Sequence, residues 1–453
     1  MQKSLTEKYD QELQTTRPGR PEFKEALRFW FKLGWISFGG TAGHIALMHD
    51  FLVDKKRWIS NSRFLHALSL CMLLPGPEAQ QLAIYIGQQL HGKKGGLIAG
   101  IFFVLPSMLI LLLLSIIYVL YGNLPWIYGM FNGLKPCVIA LIIIALFKIA
   151  RTSLKGTLHY GVSAVAFAAI FFFNISLLLI IVATILLAVL IRRFDPSLLH
   201  GDKDQQDKDT AAEEGYFINN SRRETGPGFN FRSLAVQLIV FLLFWSAPFL
   251  AMYLFSDDFV FWKRLILFFT QTAFFTIGGS YTVLPYVAQF AVGKFSWLSK
   301  MQMVDGFALA ETTPGPLIIV VGFVGFMAGY NHFNGSILQA SLALVLTTFY
   351  TFLPCFLYIF AGAPLIERSH GSDTISGILK LVMAAIVGVI FNLAIYLGRD
   401  VVFPVGLSIL HIDVTAVVWI LLSLLLIARF RLNVVFLILL SITLGLLRYQ
   451  FHF

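Results

Sequence analysis

Two Pro-Gly-Pro triplets, Pro75-Gly76-Pro77 and Pro314-Gly315-Pro316, interrupt long apolar stretches of this chain. Each Pro lacks an N–H and its ring clashes with the preceding turn, while Gly permits a reversal, so a helix must break at both places. A helix restarting at Pro77 aims unpaired N–H groups and the positive end of its dipole at its surroundings, which suits an anion; its mate restarts at Pro316. Glu78, Gln80 and Gln81 follow the first triplet. A carboxylate within hydrocarbon costs about 2.5–3.5 kcal/mol on insertion scales, so Glu78 either complements the dipole of its own helix or carries a proton or coupling ion. In the second triplet the acid comes first, as Glu311-Thr312-Thr313-Pro314, and Leu317 stands where Glu78 would be. The two sites are therefore chemically unequal. Asp305 is expected near a helix end and solvated.

Phe38-Gly39-Gly40 and Ile277-Gly278-Gly279 make a weaker case for two more breaks. For anions the candidates are Lys32, Lys135 and Lys380 within apolar segments and the cluster Asp54-Lys55-Lys56-Arg57-Trp58, with Arg57 the preferred contact. Snorkelling to headgroups is the plainer reading of most of that cluster and of Lys148. His44 is a candidate titrating group, although a single His is more often a packed, hydrogen-bonded residue. Cys71, Cys137 and Cys355 lie in apolar stretches and read as small core residues. There is no His-Glu-x-x-His, no Gly-x-Ser-x-Gly and no Walker A sequence. An enzyme is not expected, nor a metal or cofactor; an ion gradient is the expected energy source.

These residues need a membrane scaffold. Of 453 residues, 57% are hydrophobic and 13% charged, with a mean hydropathy of +0.78, which excludes a soluble or disordered chain. The net charge of +10 is explained by positive charge retained on the cytoplasmic side, so no nucleic-acid partner is inferred. Apolar runs give segments near 29–50, 64–90, 96–121, 126–150, 158–173 and 175–191, and then near 233–255, 262–292, 302–330, 335–362, 376–398, 409–428 and 432–447. The expected fold is an all-α polytopic membrane protein with about ten to thirteen segments. Residues 1–22 read as a charged cytoplasmic tail with no cleaved signal peptide, and 193–232 as a mobile polar cytoplasmic linker.

Three landmarks recur at an offset of 239 residues: the Gly-Gly pairs, Trp58 with Trp297, and the Pro-Gly-Pro triplets. The chain thus divides into a first repeat at 23–192, an extra helix at 233–256 and a second repeat at 257–453. With a cytoplasmic N-terminus, an odd number of segments between equivalent points makes an inverted repeat with broken helices, and most of the 34 Lys and Arg residues fall on the N-terminal side. Lys55, Lys56, Arg57 and Arg63 are the main exception, so the segment before them is either re-entrant or interfacial.

The sequence resembles the chromate ion transporter family. The resemblance rests on Phe38-Gly39-Gly40, Arg57-Trp58, the string from Leu74 to Ala83 (LPGPEAQQLA), Gly95-Gly96-x-x-Ala99-Gly100, Phe103-Val104-Leu105-Pro106, and, in the second half, Gly278-Gly279, Trp297, Asp305-Gly306 and Thr313-Pro314-Gly315-Pro316-Leu317. Thr41 stands where the family often has Pro, and Ser107 where Gly often follows Leu-Pro. The resemblance implies a two-domain, long-chain member of the bacterial inner membrane that exports chromate, with sulfate as the similar oxyanion. Protons as the coupling ion and a homo-oligomer are open. A passive anion channel and a membrane scaffold or sensor acting through the central loop are the competing readings.

Overall fold

The computed structural model describes residues 19–38, 40–122, 124–194, 215–219, 231–276, 280–362, 373–404, 406, 412–430 and 432–451. The chain opens with α1 (Phe23–Ile36) and α2 (Gly40–His49), the latter running into a π-helical turn at Asp50–Lys55. Next come α3 (Asn61–Leu73), α4 (Glu78–Tyr121), α5 (Pro125–Ser153), α6 (Thr157–Phe173) and α7 (Leu177–Phe194). The helix α8 (Phe231–Phe255) stands between the repeats with no buried residue of its own. The second series is α9 (Phe259–Phe275), α10 (Ser280–Ala288) with a π turn at Gln289–Lys294, and α11 (Lys300–Glu311), then α12 (Val320–His332) after a 3-10 turn at Leu317–Ile319. It closes with α13 (Ile337–Leu357), α14 (Asp373–Val402), α15 (Val414–Phe430) and α16 (Val434–Phe451).

Seven of these, α4, α5, α7, α8, α13, α14 and α16, include stretches long and apolar enough to cross a membrane, and α6, α15 and the stretch Leu317–His332 that ends in α12 are shorter apolar helices. The other described segments double back within the fold. An arm such as α1, of 14 residues, rises only about 21 Å against a hydrocarbon core of about 30 Å, and its contacts show that the chain doubles back. Lys56 Nζ meets Glu25 Oε1 at 2.7 Å, and the Phe29 ring stacks on Phe51 and meets Trp58 edge-on. Residues 55–58 thus share a face with the start of α1. The next hairpin is α3 with the first part of α4, which bends at His91 and Gly92 (φ 63°). There Arg20 Nε donates to Leu90 O and His91 Nε2 lies 2.9 Å from Pro21 O, returning the chain to that same first face.

The second repeat repeats this from the opposite face. Asn331 Nδ2 donates to Trp297 O, and His332 Nε2 meets Asp258 Oδ2 at 2.7 Å, so the bases of both hairpins again lie together. The expected spans at 29–50, 64–90, 262–292 and 302–330 therefore double back as re-entrant arms, and among the described residues the seven long apolar helices with α6 and α15 are left to carry the chain across. Removing two spans from each half leaves the parity, and hence the inversion, unchanged. Of the polar stretch 193–232, residues 215–219 are described and held to the first repeat. Within it, Phe217 and Ile218 donate backbone N–H groups to Arg57 and Trp58 carbonyls, and Ile218 O accepts from Ser60 N. That contact puts residues 217–218 on the first face, in agreement with the crossings that precede them.

The two repeats interlock. Helices α6 and α7 pack on α14 of the second repeat, while α15 and α16 pack on α5 of the first. Glycines permit the close approaches: Gly133 faces the backbone of Ser441 and Gly445, and Gly388 faces Ser163.

Candidate functional site

The hairpin tips meet at the centre of the molecule. At each triplet the backbone takes a left-handed turn, with φ 119° at Gly76 and 110° at Gly315, a region open to glycine and strained for other residues. The turn frees an N–H that needs a partner in an apolar surrounding. Gly76 N donates to Thr276 O at 2.6 Å, and Gly315 N donates to Ser37 O at 2.6 Å. Ser37 and Thr276 each lie two residues before the Gly-Gly pair of their repeat and stand 239 apart in sequence, as do the two glycines. Each repeat thus satisfies the broken backbone of the other, reciprocally.

A second reciprocal pair surrounds the glycines. A Cβ on Gly76 would meet Cys355 Sγ at 2.9 Å, and one on Gly315 would meet Ser107 Oγ. Ser107 and Cys355 each follow the Leu-Pro of their repeat. Ser107 Oγ donates to Pro314 O at 2.6 Å, and Gln81 Nε2 donates to Pro75 O. The carbonyls freed by the two triplets are therefore capped by side chains of unlike type.

Around this centre lie most of the residues singled out from sequence. Gln80 and Gln81 are buried, and the Oε1 of each has no partner among the described residues. Glu78 opens α4, directly after Pro77, and is half-buried. His44 is fully buried; its Nε2 lies 3.0 Å from Ser37 O, its ring meets Phe103 edge-on, and its Nδ1 has no partner among the described residues. Glu311 ends α11, and Thr313 Oγ1 donates to Leu309 O at 2.7 Å. Pro75, Pro77, Pro314 and Pro316 flank the crossing bonds, and Gly40 (φ 67°) starts α2. Gly39, Gly278 and Gly279 lie outside the described residues.

Two candidates lie elsewhere. Arg57 (φ 52°) is exposed at the base of the first hairpin, on the first face, where its carbonyl accepts from Phe217 N. Lys135 is not a bare cation. It is buried, with Nζ 3.7 Å from Asp305 Oδ1 and donating to Asn132 Oδ1 at 3.0 Å. Asp305 was expected in solvent; α11 instead buries it among α5, α12 and α14, and Tyr118 OH donates to its Oδ2 at 2.9 Å. The three cysteines are buried.

Sequence reading missed Ser37, Thr276, Ser107 and Cys355. The 239-residue offset carried two residues back from each Gly-Gly pair would have found the first two. The matched Leu-Pro motifs would have found the others. Asp305 escaped because its first-repeat counterpart is His66, so the repeat gives no hint of a buried acid.

The chromate transporter family profile matches residues 24–190 and 263–446. A protein of Synechococcus elongatus named probable chromate transport protein is 29% identical over 83% of this chain and 85% of its own length. The chromate transport protein of Cupriavidus metallidurans is 27% identical over 87% of each chain. The Bacillus subtilis uncharacterized transporter YwrA is 33% identical over 28% of this chain and 71% of its own length. No solved structure matches this chain.

Proposed function

We propose, from the premise that this chain belongs to the chromate transporter family, that it is a secondary transporter exporting chromate, or a sulfate-like oxyanion, by ion-gradient-coupled alternating access. The observation that carries this reading is the reciprocal pair of hydrogen bonds from Gly76 to Thr276 and from Gly315 to Ser37. Broken helices at matching places of an inverted repeat put irregular backbone at mid-membrane, where it survives only against protein or a water-filled cavity.

The dianion sits at the starts of α4 and of the 3-10 turn leading into α12, with the helix-start N–H groups and the amides of Gln80 and Gln81 as its donors. Thr313, Pro314 and Pro316 shape the other wall. Glu78, at the start of α4, carries the coupling ion, for which a proton is the simplest choice. The second repeat offers Leu317 there and supplies no equivalent acid. The first face is cytoplasmic: residues 55–63, the exception to the positive-inside pattern when 29–50 is read as a span, return to the basic side once that segment is a hairpin.

Labelled chromate uptake into inverted membrane vesicles, with and without a proton gradient and with excess sulfate as competitor, tests the reading. Accumulation that needs the gradient and is lost in Glu78→Gln is expected. Equilibration that never runs uphill would replace the transporter with a channel, and a Glu78→Gln protein with normal gradient-driven uptake would remove Glu78 from coupling.

A further inference from the structure

The Lys135–Asp305 pair has a place and a chemistry that the central site does not use. Lys135 belongs to α5 of the first repeat and Asp305 to α11 of the second, so the pair bridges the two units. Both side chains are under a tenth exposed, unlike the open pairs Lys56–Glu25 and Lys300–Asp400. Asp305 stands ten residues before Gly315 and Tyr118 eleven after Ser107, which puts the pair about 15 Å from the crossing tips. Lys300 ion-pairs with Asp400 at the end of α14, so the pair lies between the centre and the second face.

Burying an ion pair adds little stability over apolar residues of the same size, because desolvation offsets the attraction. An intramembrane pair is therefore read first as part of a pathway. Its geometry is loose. The ammonium and Asp305 Oδ1 are 3.7 Å apart, beyond a hydrogen bond, and Oδ1 has no hydrogen-bond partner among the described residues. Asn132 Oδ1 at 3.0 Å and the Tyr128 ring at 5.3 Å hold the ammonium from its own helix. Tyr118 holds the far oxygen of Asp305. The lysine is thus kept in place by neighbours other than its counter-ion.

We propose that Lys135 and Asp305 form an anion-operated gate, in which Asp305 is a resident anion on Lys135 and the transported oxyanion passes toward the second face by taking its place. This rests on the transporter reading above. It makes Asp305 a determinant of specificity: a dianion outbids one carboxylate for the ammonium, whereas a monoanion does not. Tyr118, already on Oδ2, keeps hold of the displaced carboxylate by a hydrogen bond during passage.

The test uses the full chain in proteoliposomes, with labelled chromate and sulfate as substrates and nitrate as competitor. In Asp305→Asn the lysine is unopposed, so KM for the dianions falls on the order of tenfold, nitrate becomes an effective competitor, and the maximal rate drops as release slows. Lys135→Gln loses uptake. The double variant Lys135→Gln/Asp305→Asn leaves no buried charge unpaired and keeps its melting temperature, yet its dianion KM stays high. A structural pair predicts the contrary: the double variant regains wild-type KM and rate, and Asp305→Asn changes only the yield of folded protein. Either of those results overturns the gate. Absence of oxyanion flux from the wild-type protein overturns the transporter reading and the gate with it, whereas wild-type flux with an unchanged KM in the double variant overturns the gate alone.

Discussion

The hairpins of the first repeat and those of the second share a backbone residue for residue. The π turns fall at Asp50–Lys55 and Gln289–Lys294, the left-handed residues at Arg57 and Ser296, the helix caps at Ser60 and Ser299, and the reversed glycines at Gly76 and Gly315. Each pair is 239 residues apart. Side chains on that shared frame differ: Glu78 corresponds to Leu317, His44 to Val283, and His66 to Asp305. A few residue types fix the path of the chain, namely a small hydroxyl residue before the first break, Gly between two prolines, and a Ser cap. Once these are set, the remaining positions are free to carry chemistry on one side and apolar packing on the other.

The reversed glycines give the sharpest way to break this equivalence. In Gly315→Ala the new methyl collides with Ser107 Oγ and the residue must hold φ 110°, so a loss of about 3 kcal/mol or more and little folded protein are expected. Gly76→Ala meets Gln81 Nε2 at 2.7 Å and Cys355 Sγ at 2.9 Å and should be milder, because a long amide and a thiol yield more readily. Thermal unfolding in detergent ranks the two, and Ser107→Gly should partly restore Gly315→Ala. Equal losses, or no rescue, would show that the two crossings are not governed by the residues that face them.

Converting His44 to its counterpart, His44→Val, sharpens the comparison at a smaller scale. It removes one hydrogen bond to Ser37 O but also a buried ring nitrogen without a partner, so a change within about 1 kcal/mol is expected. A loss of several times that would mean that His44 holds the first tip shut. Smallest is Asp258→Asn, at the base of the second set of hairpins. His332 and the backbone N–H of Phe261 hold the Asp258 carboxyl below its ordinary value. A depressed acid stabilises the fold above the carboxylate range, and that contribution fades as pH falls through it. With both partners about two-fifths exposed the effect is under about 1 kcal/mol. Melting temperature against pH should lose only a shallow acid-side slope in the variant.

The all-helical class, the two repeats, their inversion and the breaks at both triplets were legible in the sequence, because Pro and Gly act through covalent geometry and hydropathy through composition. What was not legible was depth. An apolar run of 20 to 30 residues reads alike whether it crosses or turns back at its middle, and only contacts between distant residues, such as Glu25 with Lys56 or Asp258 with His332, separate the two. Asp305 was misplaced for a related reason. Its burial comes largely from α5, α14 and Tyr118 of α4, far away in sequence, and local composition carries no trace of them.

The exposed helix α8 buries no residue fully and packs through one side only, by Trp245, whose Nε1 donates to Thr270 and whose carbonyl accepts from Tyr350 OH, and by the Phe241, Phe249 and Tyr253 rings against α9. Its contribution is to direction. One repeat crosses four times and ends on the face where it began, so two repeats joined without an intervening odd crossing would point the same way. An ancestor holding a single repeat would have had to insert in both orientations, in equal numbers, to build the same pseudo-symmetric assembly from two copies. Fusion through one added helix fixes the opposite orientations in every molecule at synthesis, and frees each half to diverge without having to serve as its own partner.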